Sequence, residues 1–235
     1  MNIALVLSGG TGGRLGAAIP KQYIEVHGRP IITYCLETLA LHERIDAIQI
    51  VAEKAWQGFI MDHTAILAFG QKLRGFSLPG ENRQLSIWNG LESIRSYAKE
   101  DAHVLIHDAA RPLLSTKLID RCLQAVEGYD GVLPVLSMKD TVYMSEDGEK
   151  ISSLLERSRI FAGQAPEVFK VEAYYKANRA LLPEKILHIN GSTEPAILAG
   201  MNIRMIPGDE RNFKITTEED LLRFEEMMTK SEGKL

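Results

Sequence analysis

The chain has 235 residues, 45% hydrophobic and 25% charged, with a formal net charge of −4. That length and balance suit a single domain spanning 1–235 with a sizeable core, and they exclude a fibre or a disordered chain. A net negative charge gives no basic field for nucleic acid, so none is expected as a partner.

Read in chain order, Ile3–Leu7 is an apolar strand that starts without a basic leader. No apolar run is long enough to span a bilayer, so no membrane is expected and a cytoplasmic location is. A glycine-rich turn follows the first strand. Helical spacing predicts a helix over Ile31–Leu41, then a strand over Ala47–Val51. A helix is expected over Ala55–Phe69, a strand near Gly75–Leu78, a helix over Leu85–Tyr97 and a strand over His103–Ile106. Thr116–Val126 reads as helix and Gly131–Val135 as strand. This alternation predicts an α/β fold with a mainly parallel sheet flanked by helices. Cys35 and Cys122 fall inside apolar helical patterns and read as small core residues, too few for a disulfide framework.

Residues 141–151 break the rhythm. Thr141-Val142-Tyr143-Met144 and Lys150-Ile151-Ser152 flank Asp147-Gly148, a pair favoured in two-residue hairpin turns, which predicts a projecting β-arm. Glu218–Met228 is expected to close the chain as a helix capped by Thr216 or Thr217.

Two segments carry chemistry. The run Leu7-Ser8-Gly9-Gly10-Thr11-Gly12-Gly13-Arg14-Leu15-Gly16 follows the first strand and leads to Pro20-Lys21-Gln22. Glycines let backbone N–H groups close on an anion, Arg14 can grip phosphate oxygens in a fork, and Lys21 adds a point charge. The Gly-Lys-Ser/Thr ending of a phosphate-binding-loop ATPase is missing. A dinucleotide fold would also want an acidic residue at the end of the second strand, and Glu53 lies too far along. The second segment is His107-Asp108-Ala109-Ala110-Arg111-Pro112, after a central strand. There Asp108 is placed to hold Mg²⁺ beside a triphosphate, or to cap a turn.

These motifs, with Gly80-x-x-Arg83-x-x-Ser86 and Asn212-Phe213-Lys214-Ile215-Thr216 in the same order, resemble the methylerythritol 4-phosphate cytidylyltransferases and their relatives, the ribitol 5-phosphate cytidylyltransferases. The resemblance covers roughly residues 1–228. It implies a Rossmann-like nucleotidyltransferase fold, CTP and a polyol phosphate as substrates, Mg²⁺, a place in isoprenoid biosynthesis, and a homodimer joined through the 141–151 arm. It implies catalytic roles for Arg14, Lys21 and Lys214, and nucleotide contacts from Leu7, Ser8, Gly9, Gly10, Thr11, Gly12, Gly80, Glu81, Arg83, Ser86, Asp108 and Ala109. Asp108 matches the metal ligand, and Arg111, Thr141, Arg157 and Thr193 match the acceptor side. An acceptor phosphate is already ionised near neutral pH, so alignment and charge compensation suffice without a general base.

Three positions depart from the methylerythritol pattern. Arg211 stands where the family carries an aspartate, so a second metal ligand would have to come from Asp209 or Glu210 in the same loop. Ala165 replaces a threonine, and Ser192-Thr193-Glu194-Pro195 replaces a Thr-Asp segment. All three fall on the acceptor or metal side, which leaves methylerythritol 4-phosphate narrowly ahead of ribitol 5-phosphate as the expected acceptor. A non-catalytic nucleotide-binding domain and a hexose 1-phosphate nucleotidyltransferase are the alternatives from other classes.

Overall fold

The computed structural model describes residues 1–10, 19–65 and 71–232. In chain order it holds β1 (Asn2–Leu7), a small hairpin of β2 (Glu25–Val26) and β3 (Arg29–Pro30), α1 (Ile31–Leu41), β4 (Ala47–Val51) and α2 (Lys54–Thr64). There follow β5 (Leu73–Ser77), α3 (Arg83–Arg95), β6 (His103–Asp108), α4 (Thr116–Ala125) and β7 (Gly131–Ser137). Then come β8 (Tyr143–Met144) and β9 (Ser153–Leu154), followed by β10 (Phe161–Gly163) and β11 (Glu167–Lys170). The chain ends with α5 (Val171–Arg179), α6 (Glu194–Leu198), β12 (Ile203–Pro207) and α7 (Glu218–Glu232).

β1 pairs in parallel with β4 on one side and β6 on the other, and β5 extends the sheet beyond β4. On the far side β11 lies antiparallel to both β6 and β7. β10 continues β11 along the same edge of β7, and β12 pairs in parallel with β7. The expected α/β architecture is therefore present, with one interrupted antiparallel strand inside a parallel sheet.

Alternation along the strands builds a core on each face. Ala4 and Val6 join Ile32, Leu36, Leu118 and Cys122 on one face. Ile3 and Leu5 join Ile87, Leu91, Ile106 and Tyr174 on the other. Both cysteines are buried and unpaired, and burial pushes each thiol up to about 12, so they pack as small apolar groups. A third cluster of Val26, Ile31, Tyr34, Ile215 and Phe224 fastens α7 onto α1. Thr217 caps α7, its hydroxyl accepting from Asp220 N at 3.3 Å, while Asp220 accepts from the Thr216 and Thr217 amides.

The helix expected over Ala55–Phe69 ends at Thr64, and residues 66–70 lie outside the described ones. The arm exists with a different closure. β8 pairs with β9, so Ile151 lies in the connecting loop and Asp147-Gly148 is not a two-residue turn. Asp147 Oδ1 accepts from Glu149 N at 2.9 Å and Lys150 N at 2.8 Å, and these local bonds replace ladder pairing. Among the described residues no helix is long and apolar enough to cross a membrane.

Candidate active site

The carboxyl ends of β1 and β6 lie side by side, with Leu7 opposite Asp108. β1 passes the chain to β4 on one side, while β6 lies on the other. This is the switch point at which parallel sheets open a crevice. A cleft of about 620 Å³ opens there, within the range that holds a small ligand.

Asp108 lies on its floor, with only 6% of its surface exposed. Three cations converge on it, Arg83 and Lys214 from distant parts of the chain and Arg111 from three residues on. Arg83 reaches Oδ1 with Nε at 3.2 Å and Nη2 at 3.1 Å. Arg111 Nε lies 3.3 Å and Lys214 Nζ 3.2 Å from Oδ2. Burial alone would raise the carboxyl, but Arg83, Lys214 and Arg111 outweigh it and hold Asp108 well below the usual carboxylate range. Three positive charges around one carboxylate leave the floor cationic, as a polyphosphate site requires.

Each cation is held from behind. Asn82 caps α3 through a 2.7 Å bond from Leu85 N, which fixes the turn carrying Arg83. Arg111 Nη1 donates to Asn212 O at 2.9 Å, and His107 Nε2 lies 3.0 Å from Arg111 O. Burial pushes the His107 imidazole down to about 4, so it is neutral at physiological pH and donates from Nε2 to that carbonyl. Lys214 lies between Phe213 and Ile215, both packed in the α7 cluster.

The glycine loop is anchored from Pro20-Lys21-Gln22. Gln22 Nε2 donates to Ser8 O at 2.8 Å and to Gly10 O at 2.9 Å. Ser8 turns its hydroxyl inward to donate to Tyr23 Oη at 2.8 Å and its N–H donates to Val51 O at 2.8 Å, so the residue is spent on holding the loop. A Cβ on Gly9 would lie 2.4 Å from Pro79 Cβ, so a side chain there would push two walls of the cleft apart. Gln22→Ala is expected to cost about 1–2 kcal/mol in urea denaturation, because Ser8 O keeps its Tyr23 bond and Gly10 reaches water. It should lower kcat/KM further than that loss of stability implies, since the loop backbone loses its tether.

The cleft brings together Leu7, Gly9, Gly10 and Lys21 with Gly80, Glu81, Arg83 and Ser86, and with Asp108 and Lys214. The Ser86 hydroxyl is engaged in receiving Gly80 N at 3.0 Å and shapes the turn rather than pointing freely outward. Ala109 is buried, its N–H spent on Leu7 O, and Ala110 lines the cleft in its place. Thr11, Gly12 and Arg14 lie outside the described residues. Thr141 and Arg157 are exposed away from the cleft, with Arg157 donating to Lys139 O at 2.5 Å. Thr193 starts α6 and does not line the cleft either.

The residues that sequence reading passed over are Gln22 and Gln164. Gln164 Nε2 donates to Asp209 O at 2.9 Å, and its Oε1 accepts from Asp209 N at 2.9 Å, which clamps the loop before Lys214. Gln22 ends a motif already in view and Gln164 directly precedes Ala165, but the partners of both are remote in sequence. Ala165 is buried, and its carbonyl accepts from Asn212 Nδ2 at 2.7 Å, so this position faces the loop and not open space.

Asp209 accepts from Arg211 N at 2.9 Å, and Glu210 pairs with Lys139 at 2.5 Å. Among the described residues no three His, Cys, Asp or Glu side chains gather. A lone buried carboxylate is a donor set for Mg²⁺ arriving on phosphate oxygens and keeping several waters, and not for an all-protein cage.

The sequence model of the IspD family, 2-C-methyl-D-erythritol 4-phosphate cytidylyltransferase, matches residues 2–230. A ribitol-5-phosphate cytidylyltransferase of Streptococcus agalactiae is 31% identical over 226 residues, covering 95% of this chain and 93% of the relative. A 2-C-methyl-D-erythritol 4-phosphate cytidylyltransferase of Rubrobacter xylanophilus is 36% identical over 238 residues, covering 98% and 96%. Among solved structures, the 4-diphosphocytidyl-2C-methyl-D-erythritol synthase of Anaerococcus prevotii superposes with a TM-score of 0.82 at 23% identity, covering 97% and 96%. At that identity the likeness speaks for the fold. The chain belongs to the IspD family of cytidylyltransferases and is by that membership a nucleotidyltransferase.

Proposed function

We propose that this enzyme transfers CMP from CTP to a polyol phosphate, with 2-C-methyl-D-erythritol 4-phosphate as first acceptor and ribitol 5-phosphate as second. The observation that carries the reading is the cationic floor of Arg83, Arg111 and Lys214 around Asp108, in a cleft also lined by Lys21. The 36% identity to the Rubrobacter relative supports the first acceptor, and the Streptococcus relative supports the second.

In this reading an acceptor phosphate oxygen bonds to the α-phosphorus of CTP. The bond from that phosphorus to the bridging oxygen breaks, and pyrophosphate leaves with the electron pair. Lys21, Lys214 and Arg14 compensate charge as the α-phosphorus passes through five-coordination. Gly80, Glu81, Arg83 and Ser86 frame the base, with Leu7, Ser8, Gly9, Gly10, Thr11 and Gly12 around the phosphates. Mg²⁺ would be held by Asp108 and phosphate oxygens, and when bound it neutralises part of the triphosphate charge. Arg111 and Thr193 serve the acceptor. The whole chain acts as one domain in the cytoplasm.

The working form is a homodimer. The arm exposes Tyr143, Met144, Ile151 and Leu154, and an apolar groove of about 520 Å³ with Phe161 and Met205 lies at its base. An isolated two-stranded ribbon is marginal in water and gains from a partner surface. Thr141 and Arg157 then act in the neighbour's cleft. An Arg157→Ala chain mixed with a Lys21→Ala chain should recover about a quarter of wild-type activity, as one intact site per mixed dimer and random pairing require. No recovery after proven subunit exchange would count against a shared site.

The direct test of function is pyrophosphate release from CTP with a panel of four- and five-carbon polyol phosphates, with and without Mg²⁺. Equal turnover with ATP, or full turnover in chelator, would sink the reading.

A further inference from the structure

Behind the cationic floor lies a second buried acid that the reaction as described does not use. Glu167 pairs with Ile106 across β11 and β6, so its side chain leaves the sheet on the same face as Ile106 and, two residues on, Asp108. That face is covered by α3 and α5, through Ile87, Leu91 and Tyr174. The Ser192 hydroxyl donates to Glu167 Oε2. Tyr174 Oη donates to Ser192 O at 2.5 Å, and Gln84 Nε2 donates to Tyr174 Oη at 3.0 Å. Glu167, Ser192, Tyr174 and Gln84 are all at most 8% exposed.

The segment at the start of α6 is thereby tied twice, once to the sheet and once to the turn of α3 that carries Arg83. We infer that Glu167 is a positioning residue for the acceptor, holding the Ser192–Thr193 segment beside the turn of α3 that carries Arg83. The inference rests on the reading of Thr193 as an acceptor contact. Burial pushes the Glu167 carboxyl up, while Arg83 acts against it and Asp108 with it. What the link needs from Glu167 is an oxygen that accepts from Ser192, and an amide supplies one as well as a carboxyl does.

Steady-state kinetics with CTP and acceptor varied separately test this on Glu167→Ala, Glu167→Gln, Ser192→Ala and the alanine double variant. Glu167→Ala should raise the acceptor KM about tenfold, the scale of one lost buried hydrogen bond, and leave the CTP KM nearly unchanged. Glu167→Gln should stay near wild type. Ser192→Ala should match Glu167→Ala, and the double variant should be no worse than either single. In the ligand-free protein, amide hydrogen exchange over residues 190–198 should speed up in Glu167→Ala and not in Glu167→Gln. Multiplying effects in the double variant, a rise in CTP KM instead, or unchanged exchange in Glu167→Ala would each overturn the inference. A wild-type protein inactive on every polyol phosphate would overturn the acceptor reading itself, a failure visible before any variant is made.

Discussion

Lys214→Ala should lower kcat by about 10²–10³-fold while the protein stays folded, and Lys21→Ala should do the same. The Lys214 ammonium lies 3.2 Å from Asp108 and its side chain is about one-third exposed, so little of the fold depends on it. Its backbone is fixed independently, because Ile215 is fully buried and its N–H donates to Ala110 O at 2.9 Å. Removing the charge therefore leaves the position of the loop intact and takes away one cation from the floor. Arg83 and Arg111 still balance Asp108, so ground-state CTP binding should weaken far less than turnover. Lys214→Arg keeps the charge in a planar, bulkier group and should restore only part of the rate. The measurements are kcat, the CTP KM and the thermal midpoint. If the CTP KM absorbs the whole change, Lys214 is a binding group and the proposed charge compensation is wrong.

The legible parts of this fold were those in which neighbouring residues answer to one environment. Ile31–Leu41 and Ala47–Val51 were bounded correctly because each meets one unbroken apolar surface. β11 escaped notice because it is only four residues long, opens on Glu167 and closes on Lys170, and follows Pro166, so it offers no clear apolar run or alternation. Glu167 is explained by Ser192, which no local pattern announces. β12 is largely exposed and lacks clean alternation, so its pairing with β7 decides it rather than its own sequence.

The site divides in the same way. Phosphate-binding glycines and a strand-end aspartate are contiguous features whose chemistry can be read directly. That Arg83 and Lys214 join the neighbouring Arg111 on the same carboxylate is a property of topology, because α3, β6 and the loop before α7 meet only in the folded chain. The same holds for the departure at Ala165. Read locally it is a hydroxyl lost to the acceptor, yet its carbonyl is held by Asn212 and its surface is closed off.

Asp108→Asn should abolish measurable turnover and at the same time tighten the hold on a polyanion in the absence of metal. The amide can still accept hydrogen bonds, but it no longer offsets Arg83, Arg111 and Lys214, whose groups converge within 3.3 Å of that side chain. Their mutual repulsion should destabilise the ligand-free protein by about 2–4 kcal/mol, toward the lower side of a broken buried pair because Arg83 and Lys214 reach solvent. Pyrophosphate added in chelator can supply the missing negative charge, so it should raise the thermal midpoint of Asp108→Asn more than that of wild type. Acid sensitivity gives an independent check. The folded Asp108 carboxyl is depressed, so its stabilisation is complete above the unfolded value of about 4 and is lost as pH falls through the lower folded value. An asparagine has no such proton to bind, and the variant should lose less stability than wild type on going below about pH 4. Were pyrophosphate to stabilise wild type more than the variant, Asp108 would be contacting the anion's side of the site directly. The three cations would then be its partners in the folded core and not the phosphate-binding surface.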